Sequence, residues 1–448
     1  MDSEVLVSPE QITELVRAGD LQGVLALLTA LHPADQADIL EYLSPEDRLG
    51  LLGRLAAESL AEILGYLAEE PRRQIVEELD PSALGPVLDQ VDSDVAADIL
   101  KDLPAETERR VLGAMTTARE VAPLLPHADT TAGGRMTTDF LAVRHDWTAE
   151  QCINYLRQAR PEAEQAYYLY VVDSADRLGG VLSLRHLVVA PPEAPVGDIM
   201  TPEVISVGED TDQEEVARLV RHYNLAALPV VDTERRLVGV ISGDDVLDVA
   251  TEEATEDMYR MVGLPADEVA AAPVTRAVRR RLPWLLVNLV TAFLAALTVS
   301  AFEDTISRVA ALAIFMPVVA GQAGNAGSQA ATIMVRSLAL GDVEPRDVWV
   351  ILSRQLPFGL VVGLTAGLLT AVLALLLTGN AWLGLVVTVA MVGNNVVAVS
   401  AGTLIPLLLR WLRLDPALSS TIWLTTFTDV MGFLLLLGLG AVLVERLS

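Results

Sequence analysis

The sequence predicts a multi-domain chain with four parts: an N-terminal all-α superhelical repeat domain, a duplicated α/β region, a connecting helix and a five-helix α-helical transmembrane domain. Three observations predict this order. The acidic residues are concentrated before Trp284, two internal repeats of different kinds lie within that acidic part, and five long apolar runs follow it.

The charge of the chain is divided very unequally. The net charge is −29, yet only eight of the 60 acidic residues and seven of the 31 basic residues lie from Trp284 onward. An acidic soluble part followed by an apolar part is therefore expected. Such a surface repels phosphates, which excludes nucleic acid as a partner. It can gather cations, or it can simply keep the protein soluble.

The cellular compartment is indicated by two further features. Cys152 is the only cysteine, which excludes an intramolecular disulfide and fits a reducing compartment. The N-terminal MDSEVLVSPEQ lacks the apolar core of a signal peptide. We therefore expect the acidic part to stay in the cytoplasm.

Residues 8–130 carry a helical repeat. The related segments are ADILEYLSPEDR from Ala37, AEILGYLAEEPRR from Ala61 and ADILKDLPAETERR from Ala97, and their spacings of 24 and 36 are multiples of 12. Each unit joins a short amphipathic helix to a turn with Pro or Ser, which predicts a stacked superhelix. Such an array indicates a scaffold or a sensor rather than an enzyme.

A repeat of another kind occupies residues 131–249. The segment YVVDSADRLGGVLSLRHL from Tyr170 parallels PVVDTERRLVGVISGDDVL from Pro229, 59 residues later. The β-branched runs, tight turns and intervening helices predict a β-α-β-β-α unit that occurs twice. The pattern resembles a tandem pair of CBS domains, and such pairs sense a ligand and transmit a change in shape.

The resemblance to CBS domains makes ATP a candidate ligand. The S-x-x-D motif of such domains offers its Asp to a nucleotide ribose, and the second repeat keeps it as Ser242 to Asp245, whereas the first repeat has His186 in place of the Asp. The candidate nucleotide-binding residues of the first repeat are Tyr168, Arg185 and His186. His186 can donate a hydrogen bond there, or it can be an ordinary surface residue.

The remaining chain is predicted to enter a membrane. The segment DVATEEATEDMYRMVGL predicts a helix within a connecting region of residues 250–281, and RAVRRRLPWLL adds the arginines of a positive-inside signal. The transmembrane domain, residues 282–448, is predicted to hold five spans, each long enough for a hydrocarbon core of about 30 Å. The spans are 283–302, 309–336, 356–378, 382–408 and 418–444. We expect a prokaryotic plasma (inner) membrane protein with a cytoplasmic N-terminus and a C-terminus outside.

Asp429 is the only carboxylate within the five predicted spans. A charge at the centre of a membrane helix costs about 2.5–3.5 kcal/mol on insertion scales, so it indicates function by default. It could be a cation site or a proton relay, or a protonated Asp that hydrogen-bonds to another helix. The functional interpretation is favoured by a surrounding of small and polar residues, namely Thr425, Thr426, Thr428 and Gly432.

The second span is rich in glycine and carries PVVAGQAGNAGSQAATIMVRSLA. Small residues allow helices to approach closely and can leave backbone carbonyls accessible. Alone, the pattern is typical of a packing face; together with Asp429 it indicates the lining of a pore. The candidate lining residues are Gly321, Gly324, Asn325 and Ser328. The GNN sequence that ends at Asn395 predicts a polar face on the fourth span as well.

These features together resemble the MgtE family of magnesium channels over essentially the full chain. The resemblance is carried by P-x-x-x-G-x-x-G-N-x-G-x-Q-A-A-T in the second span, TDVMG around Asp429, the CBS pair and the helical repeats, in this order along the chain. It implies a homodimer with one pore on the two-fold axis. The pore would take up Mg²⁺ and be closed by the cytosolic domains when internal Mg²⁺ is high.

The resemblance also implies the roles of individual residues. Asp429, the backbones of Gly321 and Gly324 and the side chain of residue 328 would bind hydrated Mg²⁺, and members of the family commonly carry Asn where this chain has Ser328. Mg²⁺ sensing would fall to Glu62, Asp94, Asp98, Glu214, Asp245, Glu253, Glu256 and Asp257. Where the family can have a further acidic residue, this chain has Asn224.

Helical spacing supports part of this set. Asp94 and Asp98 lie at i and i+4, and Glu253, Glu256 and Asp257 lie at i, i+3 and i+4, so each group shares one helix face. Like charges placed in this way repel one another until a cation lies between them. Alternatively, the charges could form ordinary solvated surfaces.

Other function classes are weighed against this one. A proton- or sodium-coupled magnesium transporter would use Asp429 as a relay, but the spans contain no second titratable carboxylate, which favours a channel. A chloride channel is disfavoured because a lone carboxylate repels anions. A membrane enzyme is disfavoured because no acid–base pair, activated nucleophile or Cys/His cluster is present. We therefore expect a Mg²⁺-selective channel gated by internal Mg²⁺, and no enzyme.

Overall fold

The structure is a computed structural model of the 448-residue chain. It describes residues 12, 15, 21–67, 69–160, 168–266, 268, 273–418 and 420–447. Several predicted segments lie outside the described residues. They are the N-terminal peptide MDSEVLVSPEQ, most of the first residues of the predicted region 8–130, and part of the predicted connecting region. The chain divides into two compact units, Met1–Val249 and Ala250–Ser448.

Short helices that begin every 12 residues form the first part of unit 1. They are α1 Leu21–Leu28, α2 Pro33–Tyr42, α3 Pro45–Leu52, α4 Ala57–Tyr66, α5 Glu69–Glu78, α6 Pro81–Leu88, α7 Ser93–Asp102 and α8 Ala105–Leu112. Side-chain caps start several of them; Ser44 Oγ accepts from the Asp47 N–H at the start of α3. Equivalent leucines, Leu40, Leu64 and Leu100, are fully buried. The predicted stacked helical repeat is confirmed.

Two α/β repeats with the same topology follow. The first comprises α9 Ala118–Val121, α10 Ala132–Arg135, β1 Ala142–Arg144, α11 Ala149–Ala159, β2 Tyr168–Val172, β3 Leu178–Ser183 and α12 Leu184–Val189. The second comprises α13 Val196–Ile199, β4 Val207–Gly208, α14 Gln213–Tyr223, β5 Ala227–Val231, β6 Leu237–Ser242 and the start of α15 Gly243–Met261.

The two sheets also share their register. In each, the first strand is parallel to the second and the second is antiparallel to the third. Tyr168 pairs with Ser183, and Ala227 pairs with Ser242 at the equivalent position of the second sheet. The predicted β-α-β-β-α duplication is confirmed.

The hydrophobic core of unit 1 has two principal parts. One runs through the helical repeat and continues into the second α/β repeat, where it includes Leu228 and Ile241. The other belongs to the first α/β repeat and contains Cys152. The described helical repeat and the second α/β repeat therefore share buried apolar side chains.

The helices of unit 2 are long. They are α16 Val274–Ser300, α18 Ala311–Ala339, α19 Val348–Thr378, α20 Ala381–Trp411 and α21 Ser420–Val442, with the short α17 Glu303–Arg308, a 3₁₀ turn Pro345–Asp347 and α22 Val444–Leu447. The helix α15 ends at Met261, and the arginines predicted to precede the first span belong to α16 itself.

Gly263 and Trp284 fix the junction between α15 and α16. Gly263 has a φ of +75°, a conformation that favours glycine after a helix. A Cβ atom at this position would lie 3.1 Å from Trp284 Cγ. The carboxylate of Glu268, between the two helices, accepts hydrogen bonds of 2.9 and 2.6 Å from Nε and Nη2 of Arg281.

All five predicted membrane helices are present as helices. Four of them are long and apolar enough to cross a membrane, namely α16, α19, α20 and residues Thr421–Val442 of α21. The fifth, α18, has 29 residues but is less apolar because glycine, asparagine, glutamine and serine interrupt it.

Glycines allow the long helices to pack closely around α20. A Cβ atom on Gly363 of α19 would lie 2.8 Å from Val392 Cα, and one on Gly402 of α20 would lie 2.3 Å from the Gly327 carbonyl oxygen of α18. These approaches leave no room for a side chain, as expected where helices associate through small residues.

Candidate cation sites in the membrane and cytosolic regions

Helix α18 presents two different faces. Ala323, Ala326 and Gly327 are buried, and a Cβ atom on Gly327 would lie 2.9 Å from Leu424 Cδ1 and 3.0 Å from the Ala398 carbonyl oxygen. A Cβ atom on Gly321 or Gly324 would meet no described atom within 4 Å. Gly327 therefore serves helix packing, whereas Gly321 and Gly324 lie on an open face.

Helix α21 runs antiparallel to α18 and brings Asp429 to the level of these glycines. Near one end, a Cβ atom on Gly440 would lie 2.6 Å from Leu312 Cδ1; further along, Leu424 approaches Gly327. For residues that face one another, the residue number therefore decreases along α21 as it increases along α18. Interpolation between these two contacts places Asp429 level with residues 321–324.

Asp429 is half-buried in the middle of α21. Within the described part of the chain, no residue makes a hydrogen bond or an ion pair with its carboxylate. The nearby hydroxyl groups donate to carbonyls of their own helix, from Thr425 to Thr421 O at 2.8 Å and from Thr428 to Thr425 O at 3.0 Å. These contacts do not support the interpretation in which Asp429 hydrogen-bonds to another helix.

The other predicted polar residues of the membrane region lie in different environments. Asn325 is exposed and Ser328 is half-buried on α18. Asn394 and Asn395 of α20 are fully buried. The polar groups predicted from GNN therefore lie inside the helix bundle, where Asn394 Nδ2 donates to the Val319 carbonyl oxygen of α18 and Asn395 Nδ2 donates to the Met391 carbonyl oxygen of α20 itself.

Asp94 of α7 and Asp245 of α15 form an acidic pair in unit 1. Burial, followed by the negative charges of Asp245 and Asp92, raises the pKa of Asp94 to about 8. Its buried Oδ1 has no hydrogen-bond partner among the described residues. Burial also raises the pKa of Asp245, although the Ser242 hydroxyl donates a hydrogen bond to it. A cation between these carboxylates would offset charge that the described protein groups leave uncompensated.

Asp98 lies one turn beyond Asp94 and has basic neighbours. Burial raises its pKa to about 6, while Arg72 and Lys101, each with a nitrogen 3.7 Å from the carboxylate, oppose the shift. The predicted i, i+4 pair is thus present, but its two members differ in charge environment.

The remaining predicted sensor residues of unit 1 are exposed. Glu62 lies on α4 and Glu214 in the first turn of α14. Glu62 shares no hydrogen bond or ion pair with another described acidic residue. Asn224 ends α14 in the left-handed region with a φ of 51°, which explains the residue type there, since asparagine tolerates this conformation better than most.

A second acidic group lies on α15 in unit 2. Burial, followed by the negative charges of Asp415, Glu253 and Glu256, raises the pKa of Asp257 to about 6. The positive charge of Arg260 opposes this shift. The same guanidinium forms an ion pair with Glu256 and donates a hydrogen bond to Asp415.

Asp415 is a member of this group that sequence reasoning missed. It lies in the loop between α20 and α21, where its Oδ1 accepts a 2.7 Å hydrogen bond from the Ala417 N–H. The available signal was that Asp415 is the only acidic residue between the two predicted spans, where it follows Arg410 and Arg413.

The candidate nucleotide residues meet at one end of the first sheet. Tyr168 begins β2 and pairs with Ser183, whose Oγ accepts a 3.2 Å hydrogen bond from the His186 N–H at the start of α12. Tyr168 is half-buried, and Arg185 and His186 are exposed.

The donor sets suit a hydrated rather than a bare metal ion. No three Asp, Glu, His or Cys side chains of the described ranges converge on a point that could hold a metal. Mg²⁺ usually keeps several waters and binds through one or two carboxylates. Two-carboxylate arrangements such as Asp94 with Asp245 are of this kind.

A helical acidic repeat, a duplicated α/β region and long apolar helices, one of which carries a carboxylate, are the features of a membrane transporter for a divalent cation. Residues 316–439 match the MgtE family described as divalent cation transporter, residues 31–128 match the MgtE intracellular N domain, and residues 196–252 match the CBS domain. The chain belongs to the MgtE family of magnesium transporters.

Relatives match most of the chain. The magnesium transporter MgtE of Thermus thermophilus is 40% identical over 338 residues, which are 73% of each chain. The magnesium transporter MgtE of Bacillus subtilis is 33% identical over 330 residues, 74% of this chain and 73% of that one. A crystal structure of the cytosolic domain of the Mg²⁺ channel MgtE in complex with ATP is 40% identical with a TM-score of 0.51, and the match covers 54% of this chain and 100% of that chain.

Proposed function

We propose that the chain is a Mg²⁺-selective channel for magnesium uptake, gated by intracellular Mg²⁺. One observation carries the proposal: Asp429 has no protein partner among the described residues and lies level with Gly321 and Gly324 on the open face of α18. A carboxylate level with open glycine positions of a neighbouring helix is an arrangement that can bind a hydrated cation.

The pore would form between two copies of the chain. A homodimer would bring two Asp429 carboxylates and two open α18 faces to one axis. Mg²⁺ prefers octahedral oxygen ligands at about 2.0–2.1 Å and dehydrates reluctantly, so the carboxylates would bind its first-shell waters. Carbonyls of Gly321 and Gly324 and the polar groups of Asn325 and Ser328 would add oxygen ligands around the hydrated ion.

Gating would use the acidic groups of the cytosolic part. At low internal Mg²⁺ the carboxylates repel one another; at high Mg²⁺ bridging ions favour the closed state through differential affinity. The proposed ligands centre on the Asp94–Asp245 pair and on Asp257, with contributions from Asp98, Glu62, Glu214, Glu253 and Glu256. In this scheme residues 8–130 sense the ion, 131–249 and 250–281 transmit the change, and 282–448 conduct.

Orientation and nucleotide binding complete the proposal. The arginines at the start of α16 favour a cytoplasmic N-terminus and, with five crossings, a C-terminus outside the prokaryotic plasma membrane. The ATP complex of a related cytosolic domain supports ATP binding, and we propose the first α/β repeat as its site. Tyr168, Arg185 and His186 would contact it.

The test is Mg²⁺ flux through the full chain reconstituted in liposomes. We expect Asp429→Asn to lower the flux more than about tenfold because the only carboxylate within the predicted spans is lost. The exposed loop variant Asp342→Asn is the control and should conduct normally. Wild-type flux and selectivity in Asp429→Asn would overturn the pore assignment. Flux that follows voltage and ignores proton and sodium gradients supports a channel, whereas dependence on either gradient would indicate a coupled transporter.

A further inference from the structure

Asn394 contacts both helices of the proposed ion site. It is fully buried on α20, and its Nδ2 donates a 3.3 Å hydrogen bond to the Val319 carbonyl oxygen of α18. On its other side, a Cβ atom on Gly432 of α21 would lie only 2.5 Å from the same Nδ2. One amide group therefore lies between the backbones of two helices.

These contacts are close to the proposed ion site along both helices. Val319 precedes Gly321 by two residues, and Gly432 follows Asp429 by three. At a rise of 1.5 Å per residue, each contact is within about 5 Å of the site along its helix axis. A displacement of Asn394 would therefore change the spacing between the α18 backbone and the Asp429 carboxylate.

Packing alone does not account for an amide at this position. The Oδ1 of Asn394 is buried without a hydrogen-bond donor among the described residues, and a buried acceptor of this kind is costly. An apolar side chain of similar volume would fill the space without that cost. Unlike such an apolar side chain, the amide donates a hydrogen bond from Nδ2 to α18.

The neighbouring Asn395 provides a matched comparison. It is equally buried and also has an unpartnered Oδ1 within the described chain, but its Nδ2 donates to Met391 O of its own helix at 2.9 Å. Its Cβ faces α19, 3.2 Å from a Cβ atom built on Gly363. Asn395 therefore shares the burial of Asn394 and lacks its contacts with α18 and α21.

We propose that Asn394 is a positioning residue that sets the separation between α18 and Asp429 and thereby determines which hydrated cation the pore selects. The inference rests on the proposed role of Asp429 in the pore. Because ion selection among hydrated cations depends on spacing, a fixed backbone-to-carboxylate distance discriminates between ions of different size.

The first test compares Asn394→Leu with Asn395→Leu in the reconstituted full chain. Leucine keeps the branched heavy-atom skeleton of asparagine with bulkier methyl ends at both positions, and Val319 O keeps the hydrogen bond within its helix, so we expect both variants to fold. We expect Asn394→Leu to lower Mg²⁺ uptake about fivefold to tenfold and to lower the ratio of Mg²⁺ to Ca²⁺ uptake, with Asn395→Leu within about twofold of wild type. A general loss of stability would reduce both fluxes without changing their ratio.

The second test approaches the same contact from α21. Gly432→Ala places a methyl group against Nδ2, whereas Gly438→Ala on the same helix has its nearest other atom at 4.0 Å and serves as control. We expect Gly432→Ala to lower the ratio of Mg²⁺ to Ca²⁺ uptake and Gly438→Ala to keep it. The double variant Asn394→Ala/Gly432→Ala should be no worse than Asn394→Ala, because the methyl group enters vacated space.

The outcomes separate this inference from the proposed function. If Asp429→Asn abolishes uptake while Asn394→Leu and Gly432→Ala keep the wild-type ratio, the positioning role is overturned and the pore assignment stands. Equal changes of ratio in Asn394→Leu and Asn395→Leu would also overturn it. Unchanged uptake in Asp429→Asn would overturn both.

Discussion

The guanidinium of Arg260 donates a hydrogen bond to Asp415, which joins the end of helix α15 to the loop that leads into α21. The same guanidinium is ion-paired with Glu256. Arg260 is therefore a cation supplied by the protein within a group of carboxylates that is a candidate for sensing a divalent cation.

Arg260→Gln should make closure more sensitive to Mg²⁺. Removal of the positive charge leaves Glu256, Asp257 and Asp415 without their counter-ion, so Mg²⁺ should bind there more tightly. We expect the internal Mg²⁺ concentration for half-maximal inhibition of uptake to fall about threefold to tenfold, as measured in liposomes. Arg346→Gln, which breaks an exposed ion pair with Glu344, is the control and should leave this concentration unchanged. A shift toward higher Mg²⁺ would contradict the prediction.

Asp245→Asn should raise the Mg²⁺ concentration needed for closure. The substitution removes one of the two charged ligands of the Asp94–Asp245 pair, and this loss of affinity for Mg²⁺ outweighs the relief of repulsion between the two carboxylates. We expect about a fivefold higher Mg²⁺ requirement, measured as protection of the full chain from proteolysis. The exposed residue on the same helix, Asp248, supplies the matched variant Asp248→Asn. An equal effect of the two variants would assign the shift to net charge rather than to the pair.

Mg²⁺ binding should strengthen as pH rises. The pKa of Asp94 is raised to about 8 in the folded protein, so below that pH the ion must displace a proton. We expect calorimetry to show tighter binding at pH 8.5 than at pH 6, with proton release that disappears in Asp94→Asn. In that variant, proton release from Asp98, whose pKa is about 6, should still be observed when binding is measured near pH 6.

The raised pKa of Asp94 also makes the stability of the ion-free protein depend on pH. A folded-state pKa above the ordinary value of 3.8 means that the folded protein holds the proton more tightly than the unfolded chain does. The free energy of unfolding without Mg²⁺ should therefore decrease as pH rises from about 4 to about 8. A flat profile over this range, or one that is unchanged in Asp94→Asn, would contradict the assignment.

Two glycines of the membrane unit should respond differently to alanine. In Gly402→Ala the new Cβ would lie 2.3 Å from the Gly327 carbonyl oxygen, so α18 and α20 must separate, at a cost of about 1–3 kcal/mol typical of overpacking. In Gly321→Ala the new methyl group meets no described atom within 4 Å. We expect thermal unfolding in detergent to show destabilisation for Gly402→Ala alone. Equal destabilisation would mean that the Gly321 face is covered.

Local patterns made much of the fold predictable. The spacing of ADIL and AEIL segments predicts helices at multiples of 12, and α2, α4 and α7 contain them. The 59-residue offset predicts the equivalent strand pairings of Tyr168 and Ala227. Asp429 could be singled out because a carboxylate in an apolar span is costly wherever the other helices lie.

Contacts between distant segments could not be predicted in this way. Spacing within a helix groups Glu253, Glu256 and Asp257, but Asp415 joins them from a loop 155 residues beyond Arg260. The GNN sequence likewise indicates polar groups without indicating which neighbours surround each of them. The environments of Asn394 and Asn395 depend on how α18, α19 and α21 surround α20. Short-range patterns in a single sequence do not specify that arrangement.

The composition of α18 has a consequence for how the protein is made. Glycine, asparagine, glutamine and serine interrupt it, which sets it apart from the four helices that are long and apolar enough to cross a membrane, and its small buried face packs against α20 and α21. Both of these helices leave the ribosome after α18 does. We therefore expect stable residence of α18 in the bilayer to depend on segments synthesised later, so a nascent chain truncated before α20 should release this helix from the lipid phase.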